Sequence, residues 1–542
     1  MLRSAIDRHI LRRDRLYLLA VVLLALVHHA NGCVVISRDT APMVSDALDH
    51  YRWAADVATR ARAGDIGGAA QQLWGYYQRP PLGMLPTVAV LAVVADESHD
   101  PFWARASMLL WLWPLMLATF AIGRRLHSPA AGVLACAFLG AMPMVLGFSR
   151  LLWLDLPLAA MTAALVDALL RTEHLSRRGA SLWLGVVAGV GLLVKQALPI
   201  FALPLGIWYV AAALRRGRGC RPLLNLAAAA GLAAALFATW AVVHGAALVK
   251  SAQMASVERT EQGYQLGHYI AALPQTALGL PIAVALAAAL VVLIKQGRLE
   301  VLALVGFWLP GSLALLSFFV PWDRYMLPSL PAAALACGAA TAAVAARAGR
   351  ARGALALACL ILLGLGLQQS WVGPPHHRCE AHRALGRTAC AGLVRASEVP
   401  HPRLDLSSLQ QGPRTGRVAV LPWVIERAAA DATPYDEVGE LVQYQLLLSG
   451  KTRLKAEAEW KFEHAIPRVF QGFRYIFLVG AAPGDSAREA LTNADQARQW
   501  LGQRRGTRWS KLSTLSLPGG EPVEVYANSA PSDLSALFQG SW

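Results

Sequence analysis

The chain has 542 residues, of which 56% are hydrophobic and only 15% charged, with a mean hydropathy of +0.42. Soluble domains carry about 25% charged residues, so composition excludes an ordinary soluble protein and points to a polytopic α-helical membrane protein. The net charge of +16 sits in Arg-rich loops between apolar runs, where it sets topology. No basic segment has the interleaved aromatics of a single-strand binder, so nucleic acid is not an expected partner.

The N-terminus, MLRSAIDRHILRRDR, is basic and precedes an apolar run over 16–36. The following HHANGC has no small-x-small cleavage site and no Leu three residues before Cys33. It reads as an uncleaved first span running from inside to outside. A long polar loop, 37–101, comes next. Further apolar runs at 102–123, 129–148, 154–171, 181–195, 197–214, 222–248, 276–295, 300–320, 326–346 and 353–371 are candidate spans. Basic clusters at 123–128, 171–179, 214–221, 295–298 and 347–353 belong on the cytoplasmic side. They alternate correctly only if 82–98 lies on the outer leaflet without crossing. The expectation is about eleven crossings, with about thirteen as the alternative, an N-terminus inside and a C-terminus outside.

From about residue 372 the composition becomes polar and short β-like runs appear at 417–423, 474–480, 511–517 and 523–527. An amphipathic helical stretch is expected at 486–504. The predicted division is a membrane module over 1–371 and an extracytoplasmic α/β domain over 372–542. Of the seven cysteines none forms C-x-x-C. Cys379 and Cys390 lie after the last run on the expected oxidising side, where either a disulfide or two thiols fits.

Polar residues at the outer ends of the apolar runs are the chemical candidates. A long polar loop at a membrane face is where irregular backbone can bind something. The first loop reads as the catalytic loop of a membrane enzyme. Asp46 and Asp49 are each either a helix cap or a general base for an acceptor hydroxyl. Arg79, in YYQRPPL, suits a phosphate or anchors the interface beside its aromatics. Arg150 and Asp155, in SRLLWLDLPL, either pair with each other or serve the reaction, because charge near hydrocarbon is costly. Lys195 interrupts an apolar stretch with few polar neighbours, so it holds a bound anion or snorkels. Arg324, in WDRYMLPSLP, is a second phosphate ligand unless Asp323 neutralises it. The loop 249–275 offers Glu258, Glu261, Tyr264, His268 and Tyr269, either as a solvated lid or with His268 and Glu258 on a divalent metal. No nucleotide P-loop, G-x-S-x-G elbow or H-E-x-x-H motif is present.

The pieces SDALDHYRWA, YYQRPPLGML, SRLLWLDLPLAAM, GVGLLVKQALP and RYMLPSLPAAAL occur in that order. Together they resemble the GT-C glycosyltransferases, in the branch of the lipid A aminoarabinose transferase and the protein O-mannosyltransferases. The resemblance implies transfer of a sugar from a polyprenyl-phosphate donor to a lipid, protein or glycan acceptor, by inverting single displacement, in a bacterial inner membrane with the C-terminal domain periplasmic. It implies Asp46 or Asp49 as the loop carboxylate and Asp155 as the second. Arg79, Lys195, Arg324 and Arg150 then bind the donor phosphate, with Tyr51, Tyr77 and Tyr325 at the substrate. Relatives carry Glu-Lys before the two prolines where this chain has Gln78-Arg79, which counts against metal there. A transporter of lipid-linked sugars would spread charge through the midplane, and a non-catalytic subunit would tolerate loss of the three aspartates.

Overall fold

The computed structural model describes residues 2–38, 46–75, 79–94, 101–216, 220–262, 265–318, 323–347, 361, 363–364, 415–421, 442–443, 446, 453–457, 473–479, 501, 509–516 and 522–529. The helices in chain order are α1 (Leu2–Arg38), α2 (Asp46–Arg62), α3 (Ile66–Trp74), α4 (Leu85–Val94), α5 (Pro101–Met108), α6 (Leu112–Leu126), α7 (Pro129–Gly140) and α8 (Pro143–Ser149). They continue as α9 (Asp155–Arg171), α10 (Arg178–Val194), α11 (Leu198–Arg215), α12 (Arg221–Gln262), α13 (Leu266–Ala272), α14 (Leu280–Lys295), α15 (Leu299–Leu316) and α16 (Leu330–Arg347). Among the described residues five strands follow: β1 (Thr415–Leu421), β2 (Arg453–Glu457), β3 (Phe473–Val479), β4 (Trp509–Ser516) and β5 (Pro522–Asn528). The chain forms two compact units. One comprises Met1–Arg38, Asp65–Val90 and Ala104–Ala396; the other comprises Asp39–Gly64, Leu91–Trp103 and Ser397–Trp542.

The first unit is the membrane part of an integral membrane protein. Among the described residues six helical segments are long and apolar enough to cross a bilayer: Arg15–Ser37, Pro101–Leu126, Leu198–Arg215, Arg221–Ala246, Leu299–Leu316 and Asp323–Arg347. Two bent pairs raise the number to eight: α7 with α8 at 70°, and Leu266–Ala277 with α14 at 112°. The sequence expectation of eleven counted 154–171 and 181–195, which form helices of 17 residues each. It also counted 353–371, which lies almost wholly outside the described residues. Helices of 17 residues stand at the short end of the range of about 17–25 residues that crosses a bilayer. Nearly every residue from Asp155 to Leu169 is buried in protein, as expected of a helix apolar all round. The 112° bend falls at Gly279, whose φ of 74° lies in the left-handed region that glycine alone adopts without strain.

Small residues set the helix contacts, as expected where apolar side chains gain nothing over lipid. Gly123 of α6 faces Gly132 of α7, Gly338 of α16 faces Ala131 and Ala135, and Gly185 of α10 faces Ala229 of α12. The Ala-rich stretch is thereby continuously buried over 332–340. The far end of α9 is fixed by a strained turn. Glu173, His174 and Leu175 have φ of 49°, 59° and 60°, which costs an L-residue roughly 1 kcal/mol each. The turn is held from outside itself: the His174 amide donates to Tyr209 Oη at 2.9 Å, and Asn225 Nδ2 donates to the Leu175 carbonyl at 2.7 Å.

In the second unit the strands form one sheet in the order β2-β1-β3-β5-β4. β2, β1 and β3 run parallel, while β5 and β4 add antiparallel. Central β3 is buried at every residue from Tyr475 to Val479, so both faces of the sheet are covered there, and its run YIFLV lacks alternation for that reason. Val418, Val420, Val442, Leu446, Phe477, Val523 and Val525 share its core. The four expected strands are β1, β3, β4 and β5. β2, RLKAE, alternates apolar with charged residues at the sheet edge, where charge is tolerated and pairing signals are weak. The expected helix at 486–504, apart from Leu501, and the Cys379–Cys390 pair lie outside the described residues.

Candidate active site

The site is built where three breaks in the helical chain meet in the first unit. α9 begins at Asp155, so its carboxylate stands in the first turn, where the helix dipole favours negative charge. α10 ends at Lys195, which leaves the helix with extended backbone at φ −157°, ψ 126°. Lys195 Nζ donates to Asp155 Oδ1 at 2.7 Å, with 13% and 3% of the two side chains exposed. Lys195 had no counter-ion within its own stretch of sequence; its partner comes from forty residues earlier. Asp155 likewise pairs with Lys195 and not with Arg150.

A 3-10 helix at Pro81–Met84 seals one side of this pair. A Cβ on Gly83 would lie 2.6 Å from Leu154 Cδ2 and 2.9 Å from the Val194 carbonyl oxygen. The R-P-P-L-G element therefore packs backbone-close between the residues that immediately precede Asp155 and Lys195. Pro80 and Pro81 restrict the approach, and Arg79 stands half-buried at its start.

The 3-10 helix Asp323–Ser329 supplies the other side. Arg324 lies over the Trp153 ring at 4.0 Å and over Tyr325 at 5.3 Å, while Lys195 Nζ is 5.4 Å from the Tyr325 ring. Tyr325 thus stands between the two cations. The Arg324 guanidinium is weakly hydrated and suits an aromatic face. Asp323 does not neutralise Arg324 by a direct ion pair; its Oδ1 accepts from His268 Nε2 at 2.6 Å. The Trp308 indole donates to the Pro328 carbonyl at 3.1 Å and holds the 3-10 turn to α15. Asp155, Lys195, Arg324, Tyr325 and the R-P-P-L-G element are therefore one constellation, with buried Arg150 a turn before Trp153.

Comparison with known proteins gives a match to a family model over part of the chain, and a fold. The family model described as dolichyl-phosphate-mannose-protein mannosyltransferase matches residues 78–242, a stretch that contains Arg79, Asp155 and Lys195. The fold matches ArnT from Cupriavidus metallidurans in its form bound to undecaprenyl phosphate, at 15% identity and a TM-score of 0.56, over 93% of this chain and 97% of that one. The apo form of the same protein matches at 16% identity and a TM-score of 0.55, over 94% and 98%. The chain has the GT-C glycosyltransferase fold. A search of curated protein sequences finds no match.

The other expected residues belong to other elements or lie outside the described residues. Asp46 and Asp49 occupy the first turn of α2 in the second unit, Asp49 exposed and Asp46 half-buried. Tyr51 on the same helix is fully buried. Tyr77 lies outside the described residues, as do the side chains of Glu258 and Glu261. Among the described residues no three His, Cys, Asp or Glu side chains gather as metal ligands, and His268 is turned to Asp323. Two contributors escaped the sequence reading. Trp153 lies in the turn SRLLWLDLPL and Arg105 in the run 102–123, and neither stood out as a candidate in the sequence. Arg105 is only 6% exposed, and its Nε donates to the Arg150 carbonyl at 2.9 Å. The available signal was a single Arg inside an apolar run, which is costly unless used.

Proposed function

We propose that this protein is a membrane glycosyltransferase that moves a sugar from a polyprenyl-phosphate donor to an acceptor hydroxyl on the outer face of a bacterial inner membrane. The reading rests above all on the Lys195–Asp155 pair, set beside Arg324 and the R-P-P-L-G element. Transfer breaks the bond from the anomeric carbon to the phosphate oxygen, and the phosphate keeps the electron pair. The charge that develops there calls for fixed cations, and Lys195, Arg324, Arg150 and Arg79 fill that role. Asp155 holds Lys195 in place, and Tyr325 lines the sugar side. The acceptor oxygen forms the new bond on the opposite face with inversion, and its proton passes to a carboxylate of the first loop, Asp46 or Asp49. In this reading residues 1–371, with the catalytic loop 37–101, are the membrane module with a cytoplasmic N-terminus, and 372–542 form a periplasmic domain.

The experiment is a membrane assay with a pool of polyprenyl-phosphate sugars, reading released polyprenyl phosphate. Wild type is compared with Asp46→Ala, Asp49→Ala and Asp155→Ala at equal expression. Release by wild type, lost with Asp155→Ala and with one of the two loop variants, supports the reading and identifies the base. Full turnover by all three variants would sink the site assignment.

A further inference from the structure

We propose that Arg105 is a positioning residue for the transfer site, acting through the main chain of the turn that carries Trp153 and Asp155; this rests on the transfer reaction proposed above. α8 ends at Ser149 and α9 begins at Asp155, so residues 150–154 form an irregular turn inside the membrane part. Carbonyls in the last turn of a helix and just beyond it lack partners in their own helix, and in a bilayer-embedded protein they must find one. Arg105 supplies it for the Arg150 carbonyl, with its Nε at 2.9 Å. Arg105 is itself buried on α5, a helix fixed by its neighbours: Ser107 Oγ lies 2.7 Å from Thr87 Oγ1 of α4. The same turn sets both halves of the constellation. Three residues after Arg150, Trp153 lies under the Arg324 guanidinium, and two further on Asp155 holds Lys195. One buried donor therefore governs where two phosphate-facing cations stand, without touching the substrate itself.

The test uses the full chain in detergent or nanodiscs, the polyprenyl-phosphate sugar pool as donor, and Arg105→Ala, Arg105→Gln and Arg105→Lys beside Asp155→Asn. Arg105→Ala is expected to lower kcat about 100-fold with KM within about threefold, as for a misplacement of reacting groups by about 1 Å. Arg105→Gln keeps a neutral donor for the carbonyl and Arg105→Lys keeps a charged one, and each should recover about tenfold of the loss. Wild-type turnover in Arg105→Ala, while Asp155→Asn is dead, overturns the positioning role and leaves the transfer reading intact. Wild-type turnover in Asp155→Asn sinks the transfer site itself. A rise in KM alone overturns the proposal in favour of direct donor contact. A lowered melting temperature with unchanged kcat in the folded fraction overturns it in favour of a structural tie.

Discussion

Lys195 and Asp155 are each a liability alone. A charge this deep is tolerated only when paired, and deleting one partner of a buried pair typically costs about 3–5 kcal/mol, whereas replacing both by apolar groups is often neutral. That asymmetry separates stability from function. Lys195→Met should lower the melting temperature in detergent and reduce polyprenyl phosphate release by about 10²–10³, the usual loss when a donor to developing charge is removed. Lys195→Met combined with Asp155→Leu should restore much of the melting temperature and none of the release. A double variant that still turns over would show that the pair is structural. At the neighbouring position, Asp323 accepts from His268 rather than from Arg324, whose guanidinium lies over the Trp153 ring. The order of residues in W-D-R-Y did not disclose this, because adjacent side chains in a 3-10 turn point in different directions.

Element by element, the site is positioned by how chain breaks abut. The 3-10 helix at Pro81–Met84 reaches the start of α9 and the end of α10 only because residue 83 has no side chain. Gly83→Ala would drive a methyl group into the Val194 carbonyl and Leu154, and one of the three segments must yield. We expect turnover to fall at least about tenfold, given that misplacement by about 1 Å costs roughly 100-fold. Gly206→Ala, which meets nothing within 4 Å, should be silent in the same assay. Equal activity of the two alanine variants would mean that the packing of R-P-P-L-G on the pair is irrelevant to the chemistry. The two prolines and the glycine were visible in YYQRPPLGM as a rigid turn. Its target was not, since nothing local specifies which helix ends it will meet.

For the whole molecule, two cores of different kinds are stabilised by different physics. The membrane unit packs small residues against small residues, and the sheet unit buries a conventional apolar core around β3. Phe477→Ala should remove about 3–5 kcal/mol from the sheet, as expected for a buried aromatic, and appear as faster limited proteolysis within 415–528. The same variant should still resist alkaline carbonate extraction, because its spans are untouched; release into the supernatant would show that the two cores are not independent. Much of this was determined by the sequence itself. Apolar runs and Arg clusters made the chain an integral membrane protein, and β-like runs located four of the five strands among the described residues. Asp155, Lys195 and Arg324 stood at the ends of apolar segments because hydrocarbon expels charge to those ends. The bundle alone decided the partnerships: Lys195 with Asp155, His268 with Asp323, and Arg105 with the Arg150 carbonyl, across 40, 55 and 45 residues respectively. It also decided that the runs 154–171 and 181–195 became the 17-residue helices Asp155–Arg171 and Arg178–Val194. Hydrophobic periodicity records which face of a helix is apolar. It carries no record of which neighbour that face will meet, and that is settled only when the small residues of many helices close together.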